Sequence, residues 1–419
     1  MTILSSSVQV RQLGRTDPLS DPSLFLELTQ RYLVWDAYVG GERRVDVHPL
    51  VLSPELHAAA ANAAESVVRV VGRVCERAHT DSLERARYRL HPEVLALAEA
   101  SHGALDRASL MRVDLLLGED GVWRACEINA DCPGGHNEAF GLPRLARAAG
   151  FLAGTNPTRV VEALAARLSG LAVHENEPGA VALLFATAYA EDLQVCAVLH
   201  RALKARGVQA ILAPPTAPHL RNGRLVVAGT PVTALYRYFP LEYMEGQNNI
   251  PDLVRAIRGG SVRTLSSFSH IFEQSKIGLA RATAVKNTLS DQDRGVVETH
   301  LPDAFDLFDV MREHLIGDRA GWVVKRALGR VGDEVHVGAL CDDREWVELV
   351  DASFAKRSAG EGWIAQRFIR QRTIETPWGA RFVTLGAYVL DGQFVGYFAR
   401  ITPESHVSHD ALVVPVFVE

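Results

Sequence analysis

The stretch Met111-Arg112-Val113-Asp114-Leu115-Leu116-Leu117-Gly118-Glu119-Asp120-Gly121-Val122-Trp123-Arg124-Ala125-Cys126-Glu127-Ile128-Asn129 reads as a β-hairpin, and the rest of the chain can be ordered around it. Met111 to Leu117 is apolar except at Arg112 and Asp114, Val122 to Asn129 answers it, and Asp120-Gly121 is a strong hairpin-turn signal. Side chains two apart on a strand share a face, so Arg112 lies beside Asp114 and Glu127 beside Asn129. With Asp120-Gly121 as a two-residue loop, Asp114 stands opposite Glu127 and Arg112 opposite Asn129. Two facing carboxylates repel and weaken the ladder. A bound cation relieves that conflict, and Mg²⁺ takes oxygen ligands from one or two carboxylates together with water and phosphate. Arg112 beside it could hold a phosphate oxygen. A plain exposed hairpin, with Arg112 pairing its acidic neighbours, remains equally open from these residues alone.

The polar loop that leaves the second strand, Ala130-Asp131-Cys132-Pro133-Gly134-Gly135-His136-Asn137-Glu138, carries paired glycines. Such a pair lets backbone N–H groups turn toward an anion, though a simple turn uses the same residues. Upstream, Leu56 to Arg77 and His91 to Ala108 have helical spacing, Asp81 and Glu84 resemble a helix start, and residues 1–110 read as a mostly helical layer. Downstream, Val181 to Ala186, Glu191 to Arg206 and Val208 to Leu212 read as strand, helix and strand, a βαβ unit with Gly207 at the helix C-cap. Ligands of such units gather beyond the strand carboxyl ends, here near Thr187 to Asp192. Ile271 to Val285 reads as one helix. Trp322 to Arg326, Glu334 to Val337, Trp363 to Ile369, Phe382 to Leu390 and Phe394 to Ile401 read as strands of an antiparallel α+β unit, with Asp391-Gly392 as a second hairpin turn.

The 419 residues are 47% hydrophobic and 22% charged, with a formal net charge of −6. That balance fits two or three globular units and argues against a nucleic-acid partner. The five cysteines are scattered without metal or redox spacing, as expected of free thiols in a reducing cytoplasm. Met1 to Gly14 lacks a basic stretch followed by an apolar core, and no run is long and apolar enough to span a bilayer, so neither a signal peptide nor a membrane partner is expected. Lys325 interrupts an apolar strand, where an unpaired ammonium would be costly and a triphosphate would remove the cost. Gly329-Arg330-Val331-Gly332-Asp333 is either a hairpin turn or a mobile lid over phosphates. Cys132 lies near the proposed site, but no basic partner marks it as a nucleophile.

Arg112-Val113-Asp114, then Glu127-Ile128-Asn129-Ala130-Asp131, Pro133 and Glu138-Ala139, resembles the synthetase domain of glutathionylspermidine synthases and related circularly permuted ATP-grasp proteins. The resemblance extends from about Met111 to the C-terminus. Ala190-Glu191-Asp192 looks like the acidic element of that family's substrate side, and Leu235 to Glu242 like its aromatic-Pro-x-Glu segment. Ser275-Lys276 resembles the family's helix lysine, Val323-Val324-Lys325 its strand lysine, Ala365-Gln366 its hinge along adenine, and Gly396 to Arg400 its late phosphate-contacting strand. The carboxylate pair precedes both lysines, as in the permuted group.

The resemblance implies a mixed α/β and α+β ATP-grasp fold, circularly permuted, with a helical N-terminal layer (1–110) and the metal- and phosphate-binding hairpin (111–150). A small βαβ substrate domain (151–265) and a nucleotide lobe (266–419) complete it. It implies Asp114, Glu127 and Asn129 as ligands of one or two Mg²⁺ ions, and Arg112 and Arg400 as phosphate contacts, to which the lid reading of 329–333 adds Arg330. Lys276, Lys325, Gln366, Gly329 and Gly332 would surround ATP; Gly134, Gly135, Glu191, Asp192 and Glu242 would face the substrates. The implied activity joins a small-molecule carboxylate to an amine through an acyl phosphate. A phosphotransferase on the same fold and a non-catalytic nucleotide-binding protein are the alternatives, and a homodimer is compatible with the sequence. Where the glutathionylspermidine synthases carry Thr-Pro-Thr-Ser, this chain has Cys132-Pro133-Gly134-Gly135, which speaks against glutathione as the acid. No amidase-like segment with a nucleophilic cysteine is read ahead of the synthetase part.

Overall fold

The structure is a computed structural model, and it describes residues 7–14, 17–104, 107–174, 177–329, 334–406 and 411–419. Leu110–Leu117 and Trp123–Asn129 pair as an antiparallel hairpin at one edge of a five-stranded sheet. Phe382–Leu390, Gln393–Thr402 and Leu412–Val414 follow in order, all antiparallel. Asp391 and Gly392 both take positive φ, 47° and 83°, as the tight turn between two of these strands requires.

The pleat divides this sheet chemically. Val113, Leu115, Ala125, Ile128 and Leu385 face a core that they share with the long helix Pro54–Cys75 through Ala60, Ala63, Ala64, Val67 and Val71. Ser53 caps that helix, its side chain accepting from the Leu56 amide, and Pro54 occupies the first turn, where no amide is needed. The opposite face presents Arg112, Asp114 and Arg400 to a cleft.

Ala180–Phe185, the helix Ala190–Ala205 and Ala210–Ala213 form the expected parallel unit, and Gly207 has φ +75° just past the helix end. The unit is larger than a single βαβ. Thr230–Tyr238 lies parallel to Ala180–Phe185, and Arg224–Val227, His219–Arg221 and Arg263–Leu265 complete a six-stranded mixed sheet. The third sheet orders Ala304–Asp306, Trp363–Arg367, Trp322–Arg326 and Val335–Val337, all antiparallel. The helix Asp343–Ser358 covers it through Trp346 and Val350.

Two elements differ from the expectation. The N-terminal layer is not purely helical: Val8–Val10 and Leu50–Leu52 form a three-stranded sheet with the C-terminal Val416–Val418, which runs parallel to Leu50–Leu52. The helix read as Ile271 to Val285 breaks into Ile271–Gln274 and Ile277–Val285. Ser275 turns extended at φ −70°, ψ 125°, and the Lys276 amide bonds the Ala327 carbonyl at 2.9 Å instead of a helical one. No helix among the described residues is long and apolar enough to cross a membrane.

Candidate active-site cleft

Asp114 does pair with Glu127, and Arg112 with Asn129, but by a different route from a two-residue loop. The Gly118 amide bonds the Val122 carbonyl at 3.0 Å, so the loop has three residues, closed by Gly121 at φ +79°. That loop pairs Leu117 with Trp123 and shifts the register by one. A bulge at Cys126 shifts it back, with Leu115 opposite Ala125 and Asp114 opposite Glu127. Near the turn the expected register is wrong; at the carboxylates it is right.

The opposed carboxylates are compensated from within the chain. Asp114 accepts two bonds from Arg112, Nε at 2.7 Å and Nη2 at 2.9 Å, and one from Arg400 Nη2 at 2.6 Å. Lys276 Nζ lies 3.3 Å from Glu127 Oε2, and Asn129 Nδ2 bridges the two acids at 3.3 Å each. Burial would raise the Glu127 carboxyl, but Lys276, Lys325, Arg400 and Arg112 outweigh it and hold the group well below the usual carboxylate range. Lys325 is buried, donates to the Cys126 carbonyl at 3.0 Å, and is shifted down chiefly by its desolvation. The bulge therefore has a second consequence: it presents the Cys126 carbonyl to a lysine from another sheet. Burial pushes the Cys126 thiol up to about 12, away from nucleophilic use.

The loop after the hairpin is fixed at both ends. The Gln274 side-chain oxygen accepts from the Ala130 and Asp131 amides at 2.8 and 3.0 Å, and Asp131 forms a fully buried pair with Arg237. The Gly134 carbonyl accepts from Arg112 Nη1 at 2.9 Å and from the Tyr388 hydroxyl. A Cβ at Gly134 would sit 2.7 Å from the Tyr238 hydroxyl, and one at Gly135, where φ is +89°, 2.5 Å from the Phe398 ring. These glycines let the backbone approach the sheet face directly.

The cleft between the sheets encloses about 650 Å³ and is lined by Arg112, Asp114, Glu127, Asn129, Lys325, Gln366 and Arg400. Gly134, Gly135, Gly329, Glu191 and Asp192 also line it. Lys276 reaches it from behind Glu127 and donates to the Gly329 carbonyl at 3.0 Å. Glu242 is not among the lining residues, whereas Phe239, Pro240 and Tyr243 around it are; a short 3₁₀ turn, Leu241–Met244, presents alternate residues differently from the strand that precedes it. Arg330 and Gly332 lie outside the described residues. Three buried donors of cleft residues have no partner among the described residues, Gln366 Nε2, Arg400 Nε and, on the far wall, Arg44 Nε. An amide donor such as Gln366 Nε2 suits a nucleotide base, and the guanidinium donors suit an anion.

Of the far wall, the sequence reading found Glu191 and Asp192 but missed the rest. Asp36, Arg44 and Glu138 line the same cleft beside Glu191, Asp192, Tyr189 and Tyr238. Burial, then Asp36 and Glu191, push the Glu138 carboxyl up to about 7 against the opposing pull of Arg44. Glu191 is raised by burial and by the hydrogen-bonded Asp36. Asp36 and Arg44 come from a stretch with neither periodicity nor motif, so no local signal marked them.

Residues 50–419 match the glutathionylspermidine synthase preATP-grasp family. The chain belongs to that family. Asp36 and Arg44 thus precede the matched region. Among solved structures, a glutathione synthetase-like effector from Globodera pallida in its apo form matches with a TM-score of 0.58 at 10% identity, covering 95% of this chain and 98% of its own. A putative γ-glutamylcysteine synthetase from Methylobacillus flagellatus KT matches with a TM-score of 0.41 at 12% identity, covering 79% of this chain and 86% of its own. No curated protein matches the sequence. At such identities the first likeness speaks for a shared mixed α/β fold across nearly the whole chain.

Proposed function

We propose that the protein is an ATP-dependent carboxylate–amine ligase with a circularly permuted ATP-grasp nucleotide site. The observation that carries this reading is the gathering of Asp114, Glu127 and Asn129 with Arg112, Lys276, Lys325 and Arg400 in one cleft whose far wall is acidic. Family membership makes an ATP-dependent ligase the natural class. The lobe 266–419 and the hairpin 111–150 would enclose ATP, and 151–265 would hold substrate.

Asp114, Glu127 and Asn129 suit one or two Mg²⁺ ions, being oxygen donors on one sheet face. When bound, Mg²⁺ would screen the phosphate charge and lower the barrier to transfer. Arg112 and Arg400, now spent on Asp114, would turn to phosphate oxygens once a cation replaced them there. Lys276 and Lys325 would offset charge developing on the transferred phosphoryl group. Gln366 Nε2 would meet the base. The amide N–H groups at Gly134 and Gly135 would approach the activated carboxylate. At the far wall Asp36, Glu138, Glu191 and Asp192 would hold an ammonium group, and Glu138 is poised to take its proton so that the free amine attacks the acyl carbon. Phosphate would then leave and an amide remain.

The phosphotransferase alternative shares the nucleotide half but gives the acidic wall no task. A screen of paired carboxylates and amines, followed by ADP release with mass spectrometry of products, separates the two. A product equal to acid plus amine minus water supports the ligase; a stable phosphorylated acceptor formed without an amine contradicts it.

A further inference from the structure

At the end of the long helix, away from the cleft's lining residues, the chain brings together Glu76, His79 and His102. One ligand atom from each lies within 4.8 Å of the other two. The helix Pro54–Cys75 is capped by Glu76 and continues into Arg77–Thr80, which carries His79; His102 is the last residue of the helix Pro92–His102. The two imidazoles stack at 3.8 Å between centroids, tilted by 17°. Glu76 divides its oxygens: Oε2 pairs with Arg107 at 3.1 Å, and Oε1 lies in hydrogen-bond contact with His102 Nε2 at 2.6 Å. Two imidazoles and a carboxylate form a donor set for a borderline divalent ion such as Zn²⁺.

A second observation lies beneath the triad. Glu273 is nine-tenths buried, its Oε2 has no hydrogen-bond partner among the described residues, and its charge acts on His79. Both ring nitrogens of His270, 3.6 Å from Glu273, are likewise unpartnered. Buried polar atoms rarely stay unpaired, and a carboxylate without a partner beside an imidazole is the electrostatic complement of a cation. Phe272, next to Glu273 in the chain, packs its ring edge-on against His79 at 4.8 Å.

We propose that Glu76, His79 and His102 bind a divalent transition-metal ion, with Zn²⁺ the best fit, at a site separate from the nucleotide cleft. The ion takes the place of the hydrogen bond between Glu76 Oε1 and His102 Nε2, and His102 then carries its N–H on Nδ1. Zinc–nitrogen bonds of about 2.0–2.1 Å require the three donor atoms to close in and the two stacked imidazoles to turn until both point at the ion. Arg107 keeps the carboxylate oriented from outside, and a fourth position remains for water. The site ties the end of the long helix to Pro92–His102, and the neighbouring Ile271–Gln274, packed on His79 through Phe272, leads into the Gln274 and Lys276 contacts of the cleft.

The test uses the full chain, stripped with a chelator and titrated with Co²⁺ as a spectroscopic probe, then with Zn²⁺. One Co²⁺ per chain with visible d–d bands, displaced by Zn²⁺, is expected. His79→Gln and His102→Gln should each weaken binding by roughly a hundredfold, while Glu127→Gln, which alters the cleft carboxylates, leaves the bands in place. Bands that vanish in Glu127→Gln but survive the paired histidine substitutions would overturn the proposal. Should those variants fail to fold, the wild type decides alone: Zn²⁺ must shift the imidazole resonances of two histidines, and no shift overturns the proposal.

Discussion

Glu127 keeps its charge although burial works to raise its carboxyl, because Lys276, Lys325, Arg400 and Arg112 surround it. Glu127→Gln removes that charge with nearly the same shape. Folding should survive, and Mg²⁺-dependent ATP turnover should fall on the order of a hundredfold or more, the usual loss for one electrostatic contact that counts in the transition state. Glu119→Gln, in the exposed turn of the same hairpin, should leave turnover near wild type. Steady-state ADP release from the two variants, after melting curves, makes the comparison. Glu138 offers a test that needs no substrate. Unfolded, its carboxyl loses its proton near the ordinary 4.5; folded, burial beside Asp36 and Glu191 holds the proton to about 7. The folded state therefore binds more protons between those values, and stability falls as pH rises through about 7. Glu138→Gln removes this loss: its unfolding free energy should match wild type near pH 4.5 and exceed it at pH 8, by an amount on the order of 1–3 kcal/mol. Equal pH dependence in the two proteins would mean Glu138 is not held protonated.

Among the elements, the hairpin was the most legible, yet its agreement at Asp114 and Glu127 has two parts that cancel. Asp120-Gly121 announced a turn but not its length, since two- and three-residue loops share that dipeptide. Nothing in Ala125-Cys126-Glu127 announces a bulge, because a bulge is set by what approaches the strand, here Lys325 at the Cys126 carbonyl. The break before Lys276 was hidden for a similar reason: Ile271 to Val285 keeps its helical spacing, and the contact with the Ala327 carbonyl that ends the first piece comes from more than fifty positions away. Charged residues set into apolar strands, such as Asp114 and Lys325, could be read because their burial demands a partner. Asp36 and Arg44 could not, since polar residues in an irregular segment are ordinarily solvated. The glycines after the hairpin separate strain from contact. Gly135→Ala meets both a positive φ and the Phe398 ring, whereas Gly121→Ala meets a positive φ in open space. Urea denaturation should show a loss of about 1 kcal/mol for Gly121→Ala and roughly 2–4 kcal/mol for Gly135→Ala. Equal losses would mean that the loop can move off the sheet.

For the whole molecule, three sheets meet around one cleft and the chain's two ends close it. Leu412–Val414 pairs with Gln393–Thr402, and Val413 also exchanges backbone bonds with Arg44 and Asp46, at 2.8 Å each. The segment carrying Asp36 and Arg44 is thereby fastened to the sheet that carries Arg400. A wall carrying Arg112, Lys325 and Arg400 and an acidic wall carrying Asp36, Glu138, Glu191 and Asp192 then line one cleft of about 650 Å³, a layout that suits the proposed transfer of an acyl group. The most direct measurement follows an oxygen atom. With an acid and amine found by the ADP-release screen, the acid is labelled with heavy oxygen in its carboxylate and the released phosphate is analysed by mass spectrometry. Attack of the carboxylate on the γ-phosphate predicts one labelled oxygen in each phosphate formed and one lost from the amide product. Phosphate released without label, alongside an intact labelled acid, would contradict the acyl phosphate and with it the ligase assignment.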